Sequence, residues 1–420
     1  MKKRERAPSP DDIIIKIKPE RERWFKRHKV LLIIIAIVLI TLVVGGVLIY
    51  FLVVRPGLNI EQKDWHHQQA TEEEESEPVR YYSVLSGEEI ADESLNSQPT
   101  FCMQIPNGMD VSYPRTHVGL SQIPIVFEAI AERGITRFAG IFQNPTSSML
   151  GPIRSLRIYY LDWDVPFDCT IVHAGGSPEA IAAARAYKDL TENYAYMYRD
   201  YSTYVAPNNL FTSPALLSQF ALDAGYTKSH PVAFPRLTPK EAEEARSQAL
   251  VAASPSTTKN ENGEEVEVPP TQPLVTTVNI NFGYNAYFNL VYSYDATSNS
   301  YLRSYATGEA HYSYNCPADL PEPNPSRDCG APVQVAPKVL VAMYMNEWLD
   351  TDGYHEVIST IGSGEAYIFQ NGTAQHATWS KSAREAQIEF KDDAGNLISF
   401  VPGQMWIHAV PVTYGGGVGF

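Results

Sequence analysis

Residues 121–142 have the sequence SQIPIVFEAIAERGITRFAGIF, and this stretch decides the predicted fold. Its opening serine and the proline that follows are typical of a helix start, and Gly134 is typical of a helix end. Val126 and Ile130 recur at helical spacing. We therefore predict a short amphipathic helix up to Gly134. A strand is predicted over Ile135–Phe142, which is rich in β-branched and aromatic residues.

The residues on either side continue this alternation of strands and helices. Thr100–Ile105 precedes the stretch as a predicted strand. After the stretch, the predicted order is helix, strand and helix, over Arg154–Asp162, Cys169–His173 and Ser177–Leu190. Alternation at this rhythm favours a sheet with parallel strands and helices packed on it. We therefore predict an α/β domain with a mixed sheet over residues 99–236.

The pattern changes after a low-complexity insertion at residues 237–274, in which Pro, Thr, Asn and Glu are frequent. Residues 275–411 contain short stretches of alternating apolar and polar residues, and Asn371-Gly372 is a strong hairpin signal. The sequence therefore predicts a β-rich second domain over 275–411 and a flexible tail over 412–420. The fold class predicted for the chain is α+β.

Charge and hydropathy separate the N-terminal region from these domains. Residues 1–29 carry 11 Lys and Arg against five Asp and Glu, a net charge of +6, whereas the rest of the chain carries −21. Val30–Val54 has 25 residues and no charge, which is long enough for a helix to span a bilayer core of about 30 Å. The positive-inside rule then places residues 1–29 in the cytoplasm and the main domains outside the cell membrane. Residues 55–98 predict an acidic disordered linker.

A cleaved signal peptide is the alternative for Val30–Val54. The apolar core of a signal peptide has about 7–15 residues and ends at small residues. Here the apolar stretch is longer and is followed by Arg55-Pro56, and no Cys follows it to accept a lipid. A retained transmembrane helix that crosses the membrane once is therefore the preferred interpretation.

The four cysteines all lie in the predicted extracytoplasmic part. Cys316 and Cys329 flank a proline-rich loop, and we predict a disulfide between them. Cys102 and Cys169 lie in apolar stretches and are either buried thiols or a second disulfide. The spacing of the cysteines matches no metal site, and neither a metal nor a cofactor is predicted. The acidic main part lacks the basic footprint that nucleic-acid binding needs.

Two segments carry a candidate ligand site. The segment GPIRSLR at 151–157 places two arginines one turn apart near a predicted helix start. The segment CTIVHAGGSPE at 169–179 is a predicted strand that ends in a Gly-Gly turn and opens a helix, a geometry that favours anion binding. A third arginine follows at 199. We predict an anion site formed by Arg154, Ser155, Arg157, His173, Gly175, Gly176, Ser177 and Arg199.

A structural role is the alternative for these residues. Ser177 and Pro178 are an ordinary helix cap, the glycines make the turn, and the arginines pair with Glu128 or Asp162. A Ser177 nucleophile with His173 as its base is disfavoured, because capping occupies the hydroxyl and the Gly-x-Ser-x-Gly elbow is missing. No catalytic residue is predicted.

Several segments resemble the YerB-like family of bacterial extracytoplasmic proteins. They are LSQIPIVFEAIAERGITRFAGIF, GPIRSLRIYYLDW, IVHAGGSPEA, YRD, APNNLFTS, NLVYSYDATSNSYLRSYATGEAH and PGQMWIHAVP, within about Tyr82 to Pro411. The resemblance implies two consecutive domains of unknown function, in proteins that are typically lipoproteins or membrane-anchored. It implies no activity, cofactor or catalytic residue.

The chain departs from the family pattern at three positions. Pro106 stands where the family commonly has Asp, Asn208 where it commonly has His, and Lys338 where it favours Asn. If the Asp and the His serve catalysis in relatives, this chain has lost that function. The arginines at 154 and 157 and the His-Ala-Gly-Gly-Ser segment match the family pattern, which favours binding over turnover.

We therefore predict a membrane-anchored envelope protein that binds an anionic envelope component or an envelope partner protein. One alternative is a hydrolase or transferase that acts on envelope glycan or phosphate linkages. In it, Arg154 and Arg157 hold the anion and His173 acts as acid or base. A further alternative is a structural scaffold of the envelope.

Overall fold

The computed structural model describes residues 79–108, 117–201, 204–283, 285–318 and 328–420. Residues 78–420 form one compact unit. The predicted cytoplasmic segment 1–29, the predicted membrane helix Val30–Val54 and the linker up to residue 78 lie outside the described residues. Within the described ranges, no helix is long and apolar enough to cross a bilayer.

Strands dominate the described chain. In chain order they are β1 (Tyr81–Tyr82), β2 (Glu89–Ile90), β3 (Phe101–Pro106), β4 (His117–Val118), β5 (Ile125–Glu132), β6 (Ile135–Phe142), β7 (Thr170–Val172), β8 (Asp189–Leu190), β9 (Tyr198–Arg199), β10 (Leu210–Phe211), β11 (Ser256–Lys259), β12 (Glu265–Val268), β13 (Thr277–Asn281), β14 (Leu290–Asp295), β15 (Ser300–Tyr305), β16 (Tyr312–Tyr314), β17 (Val333–Gln334), β18 (Val339–Met345), β19 (Glu347–Leu349), β20 (Glu356–Ile358), β21 (Gly362–Gln370), β22 (Thr373–Lys381), β23 (Glu389–Lys391), β24 (Met405–Pro411) and β25 (Gly417–Gly419). The described α-helices cover Ile158–Asp164, Pro178–Ala184, Pro214–Ala224 and Pro239–Ala252, and short 3-10 helices cover Glu93–Ser97, Leu120–Gln122, Val165–Phe167 and Ala286–Phe288.

Ten strands form one central sheet in the order β23-β22-β21-β18-β24-β5-β6-β3-β7-β8. Strands β3 and β5 to β8 come from the first half of the chain, and β18 and β21 to β24 come from the second half. The two groups meet where β5 and β24 pair in parallel, with Ile125 opposite Met405. The predicted α+β fold class, with an α/β domain followed by a separate β-rich domain, was therefore wrong. The described chain is mostly sheet with few helices, and both halves contribute to the same sheet.

The segment predicted as a helix before Gly134 is the main error. Ile125–Glu132 is strand β5, and a two-residue turn of Arg133 and Gly134 joins it to β6. The φ angles of these two residues are 49° and 77°, and left-handed angles at both positions are typical of a tight hairpin. The spacing of apolar residues was misleading because β5 is buried on both faces. Phe127 packs in one core and Val126 in the other.

Two other predicted helices are shorter than expected. The helix predicted to start at Arg154 begins at Ile158, and Arg157 is its N-cap. The helix predicted over Ser177–Leu190 ends at Ala184, and the last two residues of that range form edge strand β8. The sheet therefore extends into sequence that has helical composition.

Regions predicted to be unstructured contain regular elements. Residues 79–98, the last part of the predicted disordered linker, form β1, β2 and a 3-10 helix. In the insertion 237–274, the charged, Ala-rich sequence of Lys240–Ala253 favours a helix and Pro239–Ala252 is one, whereas the low-complexity residues after it form an exposed hairpin of β11 and β12. In the tail predicted to be flexible, Gly417–Gly419 is β25 and pairs with β13. Composition does not reveal the short strands, because they form by backbone hydrogen bonds that most residue types can make.

The central sheet is covered on both faces. On one face, the helix Ile158–Asp164 packs Tyr159 and Trp163 into the core. On the other face, a four-stranded sheet in the order β15-β14-β13-β25 contributes Ile280 and Tyr292 to a second core. Burying one large apolar side chain stabilises a fold by about 1.5–3 kcal/mol. The two layers therefore supply the main favourable term of folding.

Two disulfides restrain the compact unit. The predicted bridge between Cys316 and Cys329 is confirmed. Cys102 and Cys169, whose state the sequence left open, form a second bridge that joins β3 to the residue before β7. The bridged residues are 67 positions apart in the second bridge and 13 in the first. By loop-closure entropy, the Cys102–Cys169 bridge contributes about 4 kcal/mol to the free energy of unfolding and the Cys316–Cys329 bridge about 3 kcal/mol.

Candidate anion site around Glu132

Glu132, the last residue of β5, binds two buried arginines. Arg137 on β6 and Arg157 each donate from Nη2 to one oxygen of the carboxylate, with a distance of 2.6 Å for Arg157. Less than a tenth of each of these three side chains is exposed. The same two arginines donate to backbone carbonyl oxygens at residues 155 and 156. Both guanidinium groups are therefore fixed in position.

Arg154 is a third arginine of this group and is half-buried. Its charge interacts with those of Glu132, Arg157 and Arg199. Among the residues that the structure describes, its side chain has no hydrogen bond or ion pair, and its Nε is buried without a partner. One carboxylate therefore serves three guanidinium groups, and positive charge remains uncompensated.

The pKa values reflect this imbalance. Burial lowers the pKa of Arg137 to about 10, and repulsion from Arg157 adds to the effect. Burial also lowers the pKa of Arg154, since the attraction of Glu132 does not offset the burial and the repulsion from Arg157 and Arg199. Both groups still carry their charge at neutral pH, because an arginine pKa starts far above it. An anion bound here would relieve the repulsion.

Arg199 lies close to Arg154 through backbone pairing. Ile153 donates its N–H to the carbonyl of Leu210 over 2.7 Å, and Leu210 is opposite Arg199 in the hairpin of β9 and β10. The Arg199 side chain forms an ion pair with Glu192. The structure therefore brings this predicted site residue to the cluster, but with its charge already compensated.

The predicted Gly-Gly-Ser turn runs beside the arginine segment. Leu156 donates its N–H to the carbonyl of Gly175 over 2.9 Å and accepts the N–H of Ser177 over 3.2 Å. A Cβ atom on Gly176 would lie 2.8 Å from the Leu156 carbonyl oxygen, so a side chain has no room there. The backbone carbonyl of Arg154 accepts from the same turn. The two segments that the sequence singled out are neighbours in space.

The side chains of His173 and Ser177 contact protein groups. The His173 ring is buried, with Nε2 at 2.8 Å from the carboxylate of Asp189 and Nδ1 at 2.6 Å from the carbonyl oxygen of Gly175. The Ser177 hydroxyl donates to Glu179 over 3.3 Å and makes no capping bond. These side chains stabilise the turn, whereas the role of the predicted set in ligand binding stays a prediction.

Two residues of the cluster, Glu132 and Arg137, and the neighbouring Tyr354 were not predicted from the sequence. Glu132 and Arg137 meet only because β5 and β6 form a hairpin, and the sequence interpretation placed Glu132 in a helix. Tyr354 lies in the turn between β19 and β20. A backbone bridge between Glu132 and His355 holds this turn beside the end of β5. The Tyr354 ring lies 5.6 Å from the guanidinium carbon of Arg133. No local sequence signal links residue 354 to residue 132.

A buried polar network joins the two halves of the sheet. Glu128 on β5 and Arg303 on β15 form an ion pair at 3.1 Å, and both side chains are fully buried. Arg303 also donates to the Tyr292 hydroxyl over 2.8 Å, and its guanidinium carbon lies 4.4 Å from the centre of a Trp406 ring. His408 on β24 has Nδ1 at 3.2 Å from the Glu128 carboxylate. Sequence analysis gave no indication of this network.

The hydrogen bonds of the network have a defined direction. Arg303 Nε can only donate, so Nδ1 of His311 accepts its hydrogen over 2.7 Å. Nε2 of His311 then donates to Nδ1 of His117 over 2.8 Å. Nε2 of His117 in turn donates to the carbonyl oxygen of Pro106 over 2.8 Å. This chain of hydrogen bonds satisfies the two histidines and Arg303 Nε in the interior, where unsatisfied polar groups are costly, whereas Trp406 Nε1 is buried without a hydrogen-bond partner among the described residues.

Glu128 and Asp162 have partners other than those considered from the sequence. Glu128 binds Arg303, and Asp162 binds Arg384 with a distance of 2.6 Å. The alternative in which the arginines of the predicted site pair with either acid was therefore wrong. Their carboxylate partner is Glu132, which Arg157 contacts directly.

Family models match both halves of the chain. Residues 85–227 match the N-terminal domain of a protein of unknown function, DUF3048, and residues 278–407 match the C-terminal domain of the same family. The first match contains the arginine cluster, and the second contains Arg303 and Tyr354. The two matched domains supply strands to one continuous sheet.

A curated relative and a solved structure agree with these matches. The chain is 28% identical over 307 residues to the putative lipoprotein YerB of Bacillus subtilis (strain 168), covering 71% of this chain and 77% of that protein. The crystal structure of YerB protein from Bacillus subtilis has the same fold, with a TM-score of 0.59, 22% identity, and coverage of 81% of this chain and 100% of that one. With both domains of the family present in order, the chain belongs to the YerB-like family of DUF3048 proteins.

Proposed function

We propose that this protein acts outside the cytoplasm and binds an anionic component of the cell envelope at the Arg154 cluster. The Arg154 cluster comprises Glu132, Arg137, Arg154 and Arg157. One observation supports this function above the others: the Arg154 side chain carries a charge that no described residue pairs. An unpaired, partly buried cation is unfavourable for folding. An incoming anion compensates this charge.

The chemistry of the cluster suits a phosphate or a carboxylate. A guanidinium group is planar and presents its donors as a fork that matches the oxygens of both groups. Glu132 and backbone carbonyls hold Arg137 and Arg157, so two positively charged groups are fixed in position near Arg154. Arg154 is half-buried and is therefore within reach of solvent.

Two findings support a location outside the cytoplasm. Disulfides form and persist in oxidising compartments, and the compact unit contains two of them. The curated relative from Bacillus subtilis is described as a putative lipoprotein. We extend association with the membrane surface to this chain on the strength of that relationship.

The enzyme alternative depended on His173 as acid or base. Its ring is buried and both nitrogens contact protein acceptors, Asp189 and the carbonyl of Gly175. Proton transfer to a ligand would require breaking one of these bonds. Binding is therefore the function that we propose, and no observation favours the scaffold alternative over it.

Isothermal titration calorimetry on the full-length protein tests this function, with inorganic phosphate, sulfate and glycerol phosphate as probes. We expect Arg154→Ala to weaken phosphate binding by about 10- to 100-fold, since a hydrogen bond to a charged group contributes about 1.5–3 kcal/mol. Arg154→Lys keeps the positive charge but loses the paired N–H donors of the guanidinium group, so we expect an intermediate affinity for phosphate. Arg185→Ala removes an exposed arginine of the same half and serves as the matched control.

The outcomes separate the alternatives. Phosphate binding that falls in Arg154→Ala and not in Arg185→Ala supports the proposed site. Equal binding by the native protein and Arg154→Ala contradicts it, as does the absence of heat with every anionic probe.

A further inference from the structure

We infer that the ligand is a saccharide bearing a phosphate or carboxylate group, whose sugar ring contacts the exposed rings of Tyr354 and Tyr194. This inference rests on the proposed anion site and names the class of molecule that carries the anion. Tyr354 is 43% exposed and Tyr194 is 63% exposed. Both rings are fixed by their neighbours although they contribute little buried surface to the core.

Tyr354 is positioned by the turn that holds it. Asp352 accepts the N–H groups of Tyr354 and His355 over 2.8 and 2.9 Å, and it also binds the His355 ring. The Tyr354 ring meets the His355 ring edge to face, with centres 5.0 Å apart, and stacks with the guanidinium of Arg133. Tyr354 is also near enough to Arg154 to contribute to its electrostatic surroundings. An exposed ring is therefore held beside the unpaired cation.

Tyr194 is positioned by its hydroxyl group. The hydroxyl donates to Glu192 over 2.5 Å and accepts from Nε of Arg199 over 2.9 Å. Since the polar end of the side chain is bound to protein, the exposed part is the apolar ring. Arg199 connects this ring to the cluster through the pairing of Arg199 with Leu210, which in turn bonds the residue before Arg154.

The combination of rings, cation and carboxylates suits a sugar better than a bare anion. An inorganic anion gains nothing from apolar rings, whereas the C–H face of a sugar packs on a tyrosine ring as other apolar groups do. Sugar hydroxyls also donate hydrogen bonds, and Glu192 and Asp352 place acceptor oxygens near the two rings. The same acids disfavour a polyanion, as does the net charge of −21 beyond residue 29.

The test compares four probes on the full-length protein by titration calorimetry. They are N-acetylglucosamine 1-phosphate, glycerol phosphate, adenosine monophosphate and uncharged N-acetylglucosamine. We expect the sugar phosphate to bind about tenfold more tightly than glycerol phosphate, the advantage that one well-placed aromatic contact provides. Tyr354→Ala should abolish that advantage and leave glycerol phosphate affinity unchanged. Tyr312→Ala removes a ring of similar exposure, 44%, in another sheet and should have no effect.

Each result has one meaning. Equal affinity for the sugar phosphate and glycerol phosphate, both lost in Arg154→Ala, overturns the saccharide inference and leaves the anion site standing. Tighter binding of adenosine monophosphate than of the sugar phosphate overturns the inference in favour of a nucleotide. Sugar phosphate binding that is unchanged in Arg154→Ala contradicts the anion site itself.

Discussion

Neutralising Glu128 without changing its shape removes half of the buried ion pair between the central sheet and the four-stranded sheet that covers it. We expect Glu128→Gln to lower the free energy of unfolding by about 3–5 kcal/mol, because it leaves the fully buried Arg303 charge without a counterion. Burial opposes the charge on Arg303, but Glu128 and Tyr292 outweigh it and raise its pKa, so the arginine is charged in the fold. Contact with the Trp406 ring at 4.4 Å survives the change and offsets about 1–2 kcal/mol. The loss should therefore fall at the lower end of the range.

A second variant separates the pair from its surroundings. Arg303→Met alone leaves the Glu128 carboxylate unpaired in the interior. In Glu128→Gln with Arg303→Met, both charges are absent, and replacing a buried pair by apolar groups is often close to neutral. We therefore expect the double variant to be at least about 2 kcal/mol more stable than the sum of the single losses predicts.

Urea denaturation followed by tryptophan fluorescence measures these differences, and Trp406 lies within the network. The pair also gives the sign of a pH dependence. Burial raises the pKa of Glu128, but Arg303 and His408 outweigh it, so the pKa is lowered from 4.5 in the fold. The stabilisation is therefore present above about pH 4.5 and is lost as the pH falls through the lowered value. A loss below about 1 kcal/mol for Glu128→Gln at pH 7, or strict additivity in the double variant, would refute this reasoning.

Two further predictions concern other buried groups. Burial and the nearby Glu356 raise the pKa of Glu347, whose carboxylate has no hydrogen-bond partner among the described residues. Its proton is therefore held up to a higher pH in the fold, and stability falls as the pH rises above about 4.5. Glu347→Gln should raise the free energy of unfolding by about 1–3 kcal/mol at pH 8 and change it little at pH 4, measured by urea titration at both pH values. Replacing Cys102 and Cys169 by Ala should cost about 4 kcal/mol, more than the loss of about 3 kcal/mol for the Cys316–Cys329 pair, because the first bridge spans 67 positions against 13. Equal thermal shifts for the two cysteine pairs would contradict that ranking.

Individual strands were predictable where one physical cause dominates. Val339–Met345 is a continuous apolar run, and it forms β18 over the predicted residues because a central strand is buried on both faces. The Asn371-Gly372 turn was predicted as well, because both residues adopt the left-handed angles, 55° and 70°, that a tight hairpin requires. Strand β6 at Ile135–Phe142 also matches its predicted bounds.

The topology was not predictable because it depends on pairings that are distant in sequence. Strand β5 has an apolar run that suits a buried helix and a buried strand equally, and its partner β24 is about 280 residues away. With β5 interpreted as a helix, the first half seemed to alternate strands and helices. The error at one strand thus changed the fold class of the whole chain.

The site was half predictable for the same reason. Arg154, Arg157 and the Gly-Gly-Ser turn were recognised as a pair of segments because local motifs identify them, and their backbones do bond to each other. Glu132 was missed because β5 was interpreted as a helix, which hides its hairpin with β6, and Tyr354 was missed because it reaches the cluster only through the long-range bridge between Glu132 and His355. Charge compensation by Glu132 changes the interpretation of the arginines, since Arg137 and Arg157 are paired with its carboxylate and Arg154 is not.

The location of the cluster gives the second half of the chain a role in the proposed binding. The charged groups come from the first half, whereas Tyr354 comes from the second, and the Glu132–His355 bridge is where the two meet. That junction lies on β5, four residues beyond Glu128, whose ion pair with Arg303 ties β5 to β15. A change that weakens the Glu128–Arg303 pair therefore acts on the strand that carries Glu132. Because the halves share one sheet, the proposed binding would be coupled to the association of the halves, and neither domain alone carries all the residues of the proposed site.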